Sequence, residues 1–160
     1  QSIKAYADTK VSKDTTKQLT HHTTQDDVDG SDVIYISLTE IDQENTTATN
    51  FKLPLIAPVA GKLLKVFLRS SHDLSGVDLT WKLYTRTVSQ TSNGAPAEVG
   101  AQTGTGPDNR AMATYDFTSS LDSGTNAIVA GDKVQISVEA SGGTPNANYF
   151  ITLLWEWDLS

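Results

Sequence analysis

The sequence predicts an all-β protein: an antiparallel β-sandwich of jelly-roll type, preceded by a short helical or extended stalk segment. Two observations carry this prediction. From residue 33 onward, apolar side chains recur at every second position in seven or more short stretches, the period of strands with one buried face. Glycine, proline, asparagine and serine separate these stretches, and no helical period interrupts them. Such a series of short strands is typical of sandwiches and barrels.

The chain is long enough for one domain of ordinary size, with 160 residues and 17.2 kDa. A hydrophobic fraction of 38% is sufficient to build a core and argues against wholesale disorder. We assign residues 1–30 to a stalk or linker and residues 31–160 to the sandwich. Because the chain starts at Gln1 and its single methionine is Met112, we expect a fragment or a processed product of a longer chain.

The N-terminal segment differs from the rest in composition. Residues 1–13 contain neither glycine nor proline, and Ile3, Tyr6 and Lys10 lie at helical spacing, which predicts a short helix. A helix of this length is marginal in isolation, so it must pack on the domain or on copies of itself. Residues 18–51 then lack lysine and arginine but carry several acidic residues, a reversal of charge that fits a tail followed by a domain edge.

Alternation of apolar and polar residues places the strands in chain order. The stripes predicted to face the core are Ile34, Ile36 and Leu38; Phe51, Leu53 and Leu55; Leu64, Val66 and Leu68; Leu79, Trp81 and Leu83; Tyr115 and Phe117; Val134, Ile136 and Val138; and Ile151, Leu153, Trp155 and Trp157. Pro54 interrupts the second stripe, which favours an edge strand or a bulge there. Residues 89–110 are rich in glycine, proline and asparagine, and are predicted as a long loop with room for one short strand.

Two of these strands carry apolar residues on both faces. Phe67 lies opposite the Leu64 stripe, and Phe150 and Leu154 lie opposite the final stripe. A large exposed apolar patch is a liability on a monomer. We therefore expect that other subunits bury these faces in an oligomer.

Charge and composition exclude several function classes. A net charge of -7 argues against a nucleic-acid partner, since a duplex binder needs a basic surface. The absence of cysteine excludes disulfide scaffolds, cysteine-ligated zinc and cysteine nucleophiles. The longest apolar runs fall far short of the roughly 20 residues of a membrane-spanning helix, so no membrane insertion is expected. No secretory signal peptide opens the chain.

No catalytic motif stands out. The G-x-S-x-G of serine hydrolases is absent. The glycine-rich residues 100–106 lack the GK[ST] ending of a phosphate-binding loop and do not open a helix, so we interpret them as a flexible loop. We expect neither enzymatic activity nor a cofactor.

Two clusters in the sequence are candidate metal ligands. Adjacent side chains on an extended chain point to opposite sides, so His21 and His22 cannot easily chelate one ion within a subunit. One histidine from each chain of a symmetric oligomer could ring an ion. The alternative is a solvated hinge between tail and domain.

The second cluster is acidic and spans residues 26–32. Aligning Gly30 with the invariant glycine of an EF-hand puts Gln25 and Ile36 at the first and last ligand positions, where neither is suitable. A different calcium site is one alternative, and a charged edge that discourages strand aggregation is the other. We predict no metal site; the carboxylates that would serve one are Asp27, Asp29 and Asp32.

Recognition by loops remains as a function for the predicted scaffold. Loops carried on a rigid sandwich are the usual place for binding residues. The aromatic, amide and charged groups in or beside the long loop are types that bind sugars or protein loops, although they also occur in ordinary loops. The candidate receptor-binding residues are Tyr84, Arg86, Asn93, Asp108, Asn109 and Arg110.

The first eight residues, Q-S-I-K-A-Y-A-D, resemble a Q-S-I-K-A-Y-V-D segment that recurs in tail-fibre and related appendage proteins of bacteriophages, with Ala7 in place of the usual valine. There the segment lies in fibrous or linker regions just before a distal domain. Four further stretches are similar to C-terminal domains of phage structural proteins and also resemble trimeric jelly rolls of the C1q and tumour necrosis factor type. These stretches are residues 57–63, 66–71, 130–138 and 152–158.

The resemblance implies a virion protein made in the host cytoplasm, the homotrimeric distal domain of a tail fibre. Its implied task is attachment to a host surface polysaccharide or an outer-membrane protein. Three weak sites would then act together by avidity. The resemblance supplies no catalytic residue. A capsid decoration or head appendage protein with a structural role is the alternative, followed by a depolymerase of host polysaccharide.

Overall fold

The computed structural model describes residues 15–26, 33–39, 54–87, 96–121, 127–144 and 147–159. Within these ranges the chain forms nine strands and one helical turn. The elements are β1 (Thr15–Asp26), β2 (Val33–Ile36), β3 (Leu55–Ile56), β4 (Gly61–Ser70), β5 (Asp78–Arg86), β6 (Ala97–Thr105), β7 (Ala113–Asp116), α1 (Thr118–Leu121), β8 (Lys133–Ala140) and β9 (Ala147–Asp158). Over the described part of the chain, no helix has the length and apolar character needed to cross a membrane.

The strands form two antiparallel sheets that pack face to face. One sheet has the order β1-β9-β4-β7, and the other has the order β2-β8-β5-β6. The short β3 also pairs with β8, next to the stretch of β8 that β2 occupies. The first and last strands are neighbours, and each sheet draws strands from distant parts of the sequence, as in a jelly roll. The predicted all-β antiparallel sandwich is confirmed.

The core lies between the sheets and contains most of the predicted apolar stripes, with Leu63 rather than Leu64 on the β4 stripe. Of the second stripe, Leu55 is partly buried against the core, and Phe51 and Leu53 lie outside the described residues. Trp81, Trp155 and Phe117 are the largest of its fully buried side chains. A bulge after Leu63 shifts the register of β4 against β9, so that Leu63 and Leu64 are both buried. Each large side chain buried in this way contributes about 1.5–3 kcal/mol.

The edge strand β1 lies within the segment that the sequence assigns to the stalk. It pairs with β9 along its whole length, and its inward side chains are polar. The indole N–H of Trp155 donates to Thr20 Oγ1 at 3.0 Å, and that of Trp157 donates to Gln18 Oε1 at 2.7 Å. Buried indoles need such acceptors. β1 is held by these hydrogen bonds and has no stripe of apolar residues on its inner face. Hydrophobic periodicity therefore does not detect this strand. The predicted helix over residues 1–13 lies outside the described residues.

The interpretation of the glycine-rich residues 100–106 as a flexible loop is wrong. They belong largely to β6, a strand of nine residues that pairs with β5 over its length. A Cβ at Gly104 would lie 3.3 Å from Tyr115 Cε1, and the Tyr115 hydroxyl donates to the Thr105 carbonyl at 3.2 Å. The small residue lets an aromatic ring lie against the strand, and the main-chain ladder supplies the stability that side-chain alternation does not.

Candidate binding hollow and outer apolar face

The turn after β6 is braced against the loop between β4 and β5. The Leu74 N–H donates to the Pro107 carbonyl and the Gly106 N–H donates to the Val77 carbonyl, both at 2.8 Å. A Cβ at Gly106 would lie only 2.6 Å from the Leu74 carbonyl oxygen, so this close approach requires glycine. The turn therefore leaves the sandwich from a fixed position.

The tip of this turn holds three of the predicted receptor-binding residues, and all three are exposed. The Ala111 N–H donates to the Asp108 carbonyl at 2.9 Å, and the Asn109 N–H donates to Asp108 Oδ1 at 2.5 Å. Arg110 has φ 66°, in the left-handed region, which costs an L-residue about 1–2 kcal/mol. Residues in such sparsely populated conformations cluster at functional sites, which makes Arg110 a candidate.

A shallow hollow of about 420 Å³ lies beside this tip. Arg69 on β4 and Phe150 on β9 are paired in register at its base, and both are exposed on the outer face of the four-stranded sheet. Ser71 holds the neighbouring backbone, because its N–H donates to the Asn148 carbonyl at 3.0 Å and its Oγ accepts from the Asn148 N–H at 2.9 Å. The residues lining the hollow are Arg69, Ser70, Ser71, Asn109, Arg110 and Phe150.

The hollow carries positive charge in an acidic protein. Within the described ranges, neither Arg69 nor Arg110 forms a salt bridge. The Asp108 carboxylate accepts from its own turn. Guanidinium groups bind carboxylates and phosphates through paired hydrogen bonds, and an amide side chain both donates and accepts. The hollow therefore offers two anion-binding groups, one amide and one aromatic ring.

The other predicted receptor-binding residues are not brought to this hollow. Tyr84 and Arg86 lie on β5 and are each only 8% exposed. The Tyr84 ring packs against Tyr35 with centroids 5.7 Å apart, and its hydroxyl accepts from Ser137 Oγ at 3.5 Å. Burial, followed by the influence of Tyr84, raises the pKa of Tyr35 to about 12. Asn93 lies outside the described residues.

Sequence reasoning did not select Arg69 and Phe150 as binding residues. The available signal was their position opposite the core-facing stripes of their strands. Their pairing across β4 and β9, which brings them to the tip of a turn from β6, depends on strand register and could not be read from one stretch of sequence.

Side chains on the same outer face form an apolar surface that continues from the hollow. We call Leu19, Phe67 and Leu154 the outer apolar face; Phe150 lies at its border and belongs to the hollow. Leu19 pairs in register with Leu154, and Phe67 pairs with Thr152 between Leu154 and Phe150. Leu19 is 55% exposed and Phe150 is 49% exposed. The prediction that β4 and β9 carry apolar residues on both faces is confirmed, and the oligomer inferred from it stays a prediction.

The two histidines that are candidate metal ligands lie on opposite faces of β1. His21 Nδ1 is 2.9 Å from Thr152 Oγ1 on the outer face, and His22 Nε2 is 3.0 Å from Thr20 Oγ1 on the inner face. Among the residues that the structure describes, no three histidine or acidic side chains form a group that could hold a metal ion. The acidic candidates Asp27, Asp29 and Asp32 lie outside those residues.

Comparisons with known proteins give only distant likenesses. No protein-family profile and no curated protein sequence matches the chain. Three solved structures are similar at 10% sequence identity. They are a capsid structure of Helicobacter pylori bacteriophage KHP30 (TM-score 0.37, 91% of this chain and 94% of that chain), the capsid asymmetric unit of cyanophage Pam1 (0.39, 92% and 88%) and the Eiger TNF from S. frugiperda (0.30, 89% and 93%). At these TM-scores the likeness assigns neither a family nor a function.

Proposed function

We propose that this chain is a non-enzymatic bacteriophage virion protein, the distal domain of a homotrimeric tail fibre that attaches to the host surface. The resemblance of residues 1–8 to a segment of phage appendage proteins supports a place at the end of a fibre. The confirmed sandwich supports the same role, because a rigid scaffold with surface loops is suited to recognition.

The observation that carries the proposal is the arrangement of the outer face of the four-stranded sheet. Strained Arg110 and exposed Asn109 lie at a braced tip, beside Arg69 and Phe150. The apolar side chains Leu19 and Leu154 continue the same face. Polar recognition groups and an apolar contact surface thus lie side by side, so assembly and attachment use adjacent parts of one face.

Attachment is tested by incubating the fluorescently labelled chain with a panel of bacterial cells and with a glycan array. We expect retention on at least one cell type and loss of retention for the double variant Asn109→Ala/Arg110→Ala. Lys133→Ala, which removes one positive charge from the five-stranded sheet, serves as the matched control. Retention that is equal for all three proteins would contradict the proposed site.

A capsid decoration protein is the second candidate, because the outer apolar face would equally suit contact with a protein shell. Isolated phage capsids replace the cells in the same assay. Binding to capsids, together with failure to bind any cell or glycan, would favour decoration over attachment. Release of reducing ends from a host polysaccharide would favour the depolymerase.

A further inference from the structure

We propose that the hollow between Arg69 and Arg110 binds an acidic sugar, with the carboxylate or phosphate held by the two guanidinium groups. This inference rests on the proposed host attachment and names the class of ligand that the site takes. The shared chemistry is an anionic group attached to a saccharide ring.

The two guanidinium groups reach the hollow from elements that are distant in sequence. Arg69 lies near the end of β4, and Arg110 lies at the tip of the turn after β6. Since the ladder between β4 and β9 fixes the backbone of Arg69, and hydrogen bonds with Val77 and Leu74 fix the base of the turn, the main-chain positions that carry the two groups are preorganised. Preorganisation lowers the entropy lost when a ligand binds.

The remaining lining matches the rest of a sugar. The exposed ring of Phe150 offers an apolar surface for the C–H face of a saccharide ring, and the Asn109 amide can donate to or accept from its hydroxyl groups. Neutral sugars would use only these two groups. The arginines therefore add the preference for an anion.

Among the described residues, no acidic side chain forms an ion pair with Arg69 or Arg110. The Asp108 carboxylate accepts from the Asn109 N–H and keeps its negative charge, which opposes part of the attraction for an anion. With a net charge of -7, the protein as a whole repels polyanions. Binding of an acidic sugar must therefore be local to the hollow, and it should weaken steeply with added salt because the arginines are exposed.

The conformation of Arg110 gives a separate reason to assign it a ligand. Glycine or asparagine occupies left-handed positions at lower cost than arginine. The φ of 66° thus adds strain to the folded chain, and within the described ranges no salt bridge of Arg110 offsets it. A bound anion would supply the missing partner.

The test is an NMR titration of the ¹⁵N-labelled full chain with trigalacturonate and with galactose 6-phosphate. The neutral counterparts are the methyl ester of trigalacturonate and galactose. We expect amide shifts at Ser71, Asn109 and Arg110, with at least tenfold weaker binding of the neutral counterpart. The acid that gains more affinity over its own neutral counterpart identifies whether the host group is a carboxylate or a phosphate.

Variants separate the hollow from general charge. Arg69→Gln and Arg110→Gln should each weaken binding of the acidic ligand at least tenfold. The control Lys17→Gln removes the same charge from the same sheet face, opposite Glu156 rather than Phe150, and should leave binding unchanged. Equal affinity for acidic and neutral ligands, no binding of either acid, or equal losses in all three variants would overturn the proposal.

The outcome for the ligand class is distinguishable from the outcome for attachment. If the chain binds cells while neither acid competes and Arg69→Gln still adheres, the ligand class is wrong and attachment stands. If the acids bind in the hollow but no cell is retained, the site stands and attachment fails.

Discussion

The two sheets present opposite kinds of outer face. On the four-stranded sheet, apolar Leu19 and Phe150 and the charged Arg69 are exposed. On the five-stranded sheet, the outward Tyr35, Tyr84 and Ser137 are buried and bonded to one another, and Lys82 forms salt bridges at the periphery. The outer face of the four-stranded sheet leaves its side chains available to another molecule, whereas those of the five-stranded sheet contact one another within the fold.

Residues of the same type therefore have different roles on the two sheets. An aromatic side chain on β5 stabilises the fold, whereas one on β9 is exposed where another molecule can contact it. Residue chemistry alone therefore does not identify the binding residues of this sandwich. Burial and available hydrogen-bonding capacity identify them instead.

The largest expected effect comes from truncating an aromatic residue on each face. Tyr84→Ala should lower the free energy of unfolding by about 3–5 kcal/mol, because it removes a buried ring and its contact with Tyr35. Phe150→Ala, at a half-exposed position, should change it by less than about 1 kcal/mol. Urea denaturation followed by tryptophan fluorescence measures both. Similar losses for the two variants would remove the distinction between the faces.

Much of the fold was predictable, since burial on one face leaves a period of two in the sequence. β8 and the inward face of β9 were predicted in this way. The same logic failed for β1 and β6, at opposite edges of the two sheets. β1 is held by acceptors for buried indoles and β6 by its main-chain ladder, so neither carries an apolar stripe.

The second effect concerns self-association through the outer apolar face. Leu19→Glu introduces a charge where we propose that subunits meet, and should weaken trimer formation at least tenfold, about 1.4 kcal/mol. Light scattering should give three times 17.2 kDa for the natural sequence and a smaller mass for the variant at the same concentration.

Leu159→Glu is the matched control, since Leu159 is 56% exposed but lies at the other end of the last strand from Phe150. It should leave the mass unchanged. A folded natural chain that remains at 17.2 kDa in dilute buffer would refute the trimer.

For the candidate site, prediction was limited by register and by backbone conformation. The turn residues Asp108, Asn109 and Arg110 were accessible to composition, because loops on sandwiches carry such groups. Arg69 joins them only through the pairing of β4 with β9. Tyr84 was placed beside the loop correctly in sequence, but β5 buries it. The types of residue in the binding site were therefore predictable from the sequence, but which individual residues form the site was not.

A smaller effect is expected at the strained tip. Arg110→Gly should raise the free energy of unfolding relative to Arg110→Ala by about 1 kcal/mol, because glycine adopts φ 66° without the Cβ penalty that alanine retains. Both variants lack the guanidinium group, so both should lose the acidic sugar. Urea denaturation measures the difference in stability, and the ligand titration measures the loss of binding. Equal stability of the two variants would show that Arg110 stores no backbone strain.

The smallest effect distinguishes the faces of β1 by pH. Burial, reinforced by the charge of His21, lowers the pKa of His22 below its ordinary 6.5, and a backbone hydrogen bond with Ser37 opposes part of this shift. Between the lowered value and 6.5 the unfolded chain binds more protons, so the stability from neutral His22 is complete above pH 6.5 and is lost as pH falls through the folded pKa. Unfolding midpoints measured across this range should decline for the natural chain. The decline should be smaller in His21→Gln than in the natural chain, and smallest in His22→Gln, since only His22 faces inward. A smaller decline in His21→Gln than in His22→Gln would contradict the assignment of His22 to the buried position.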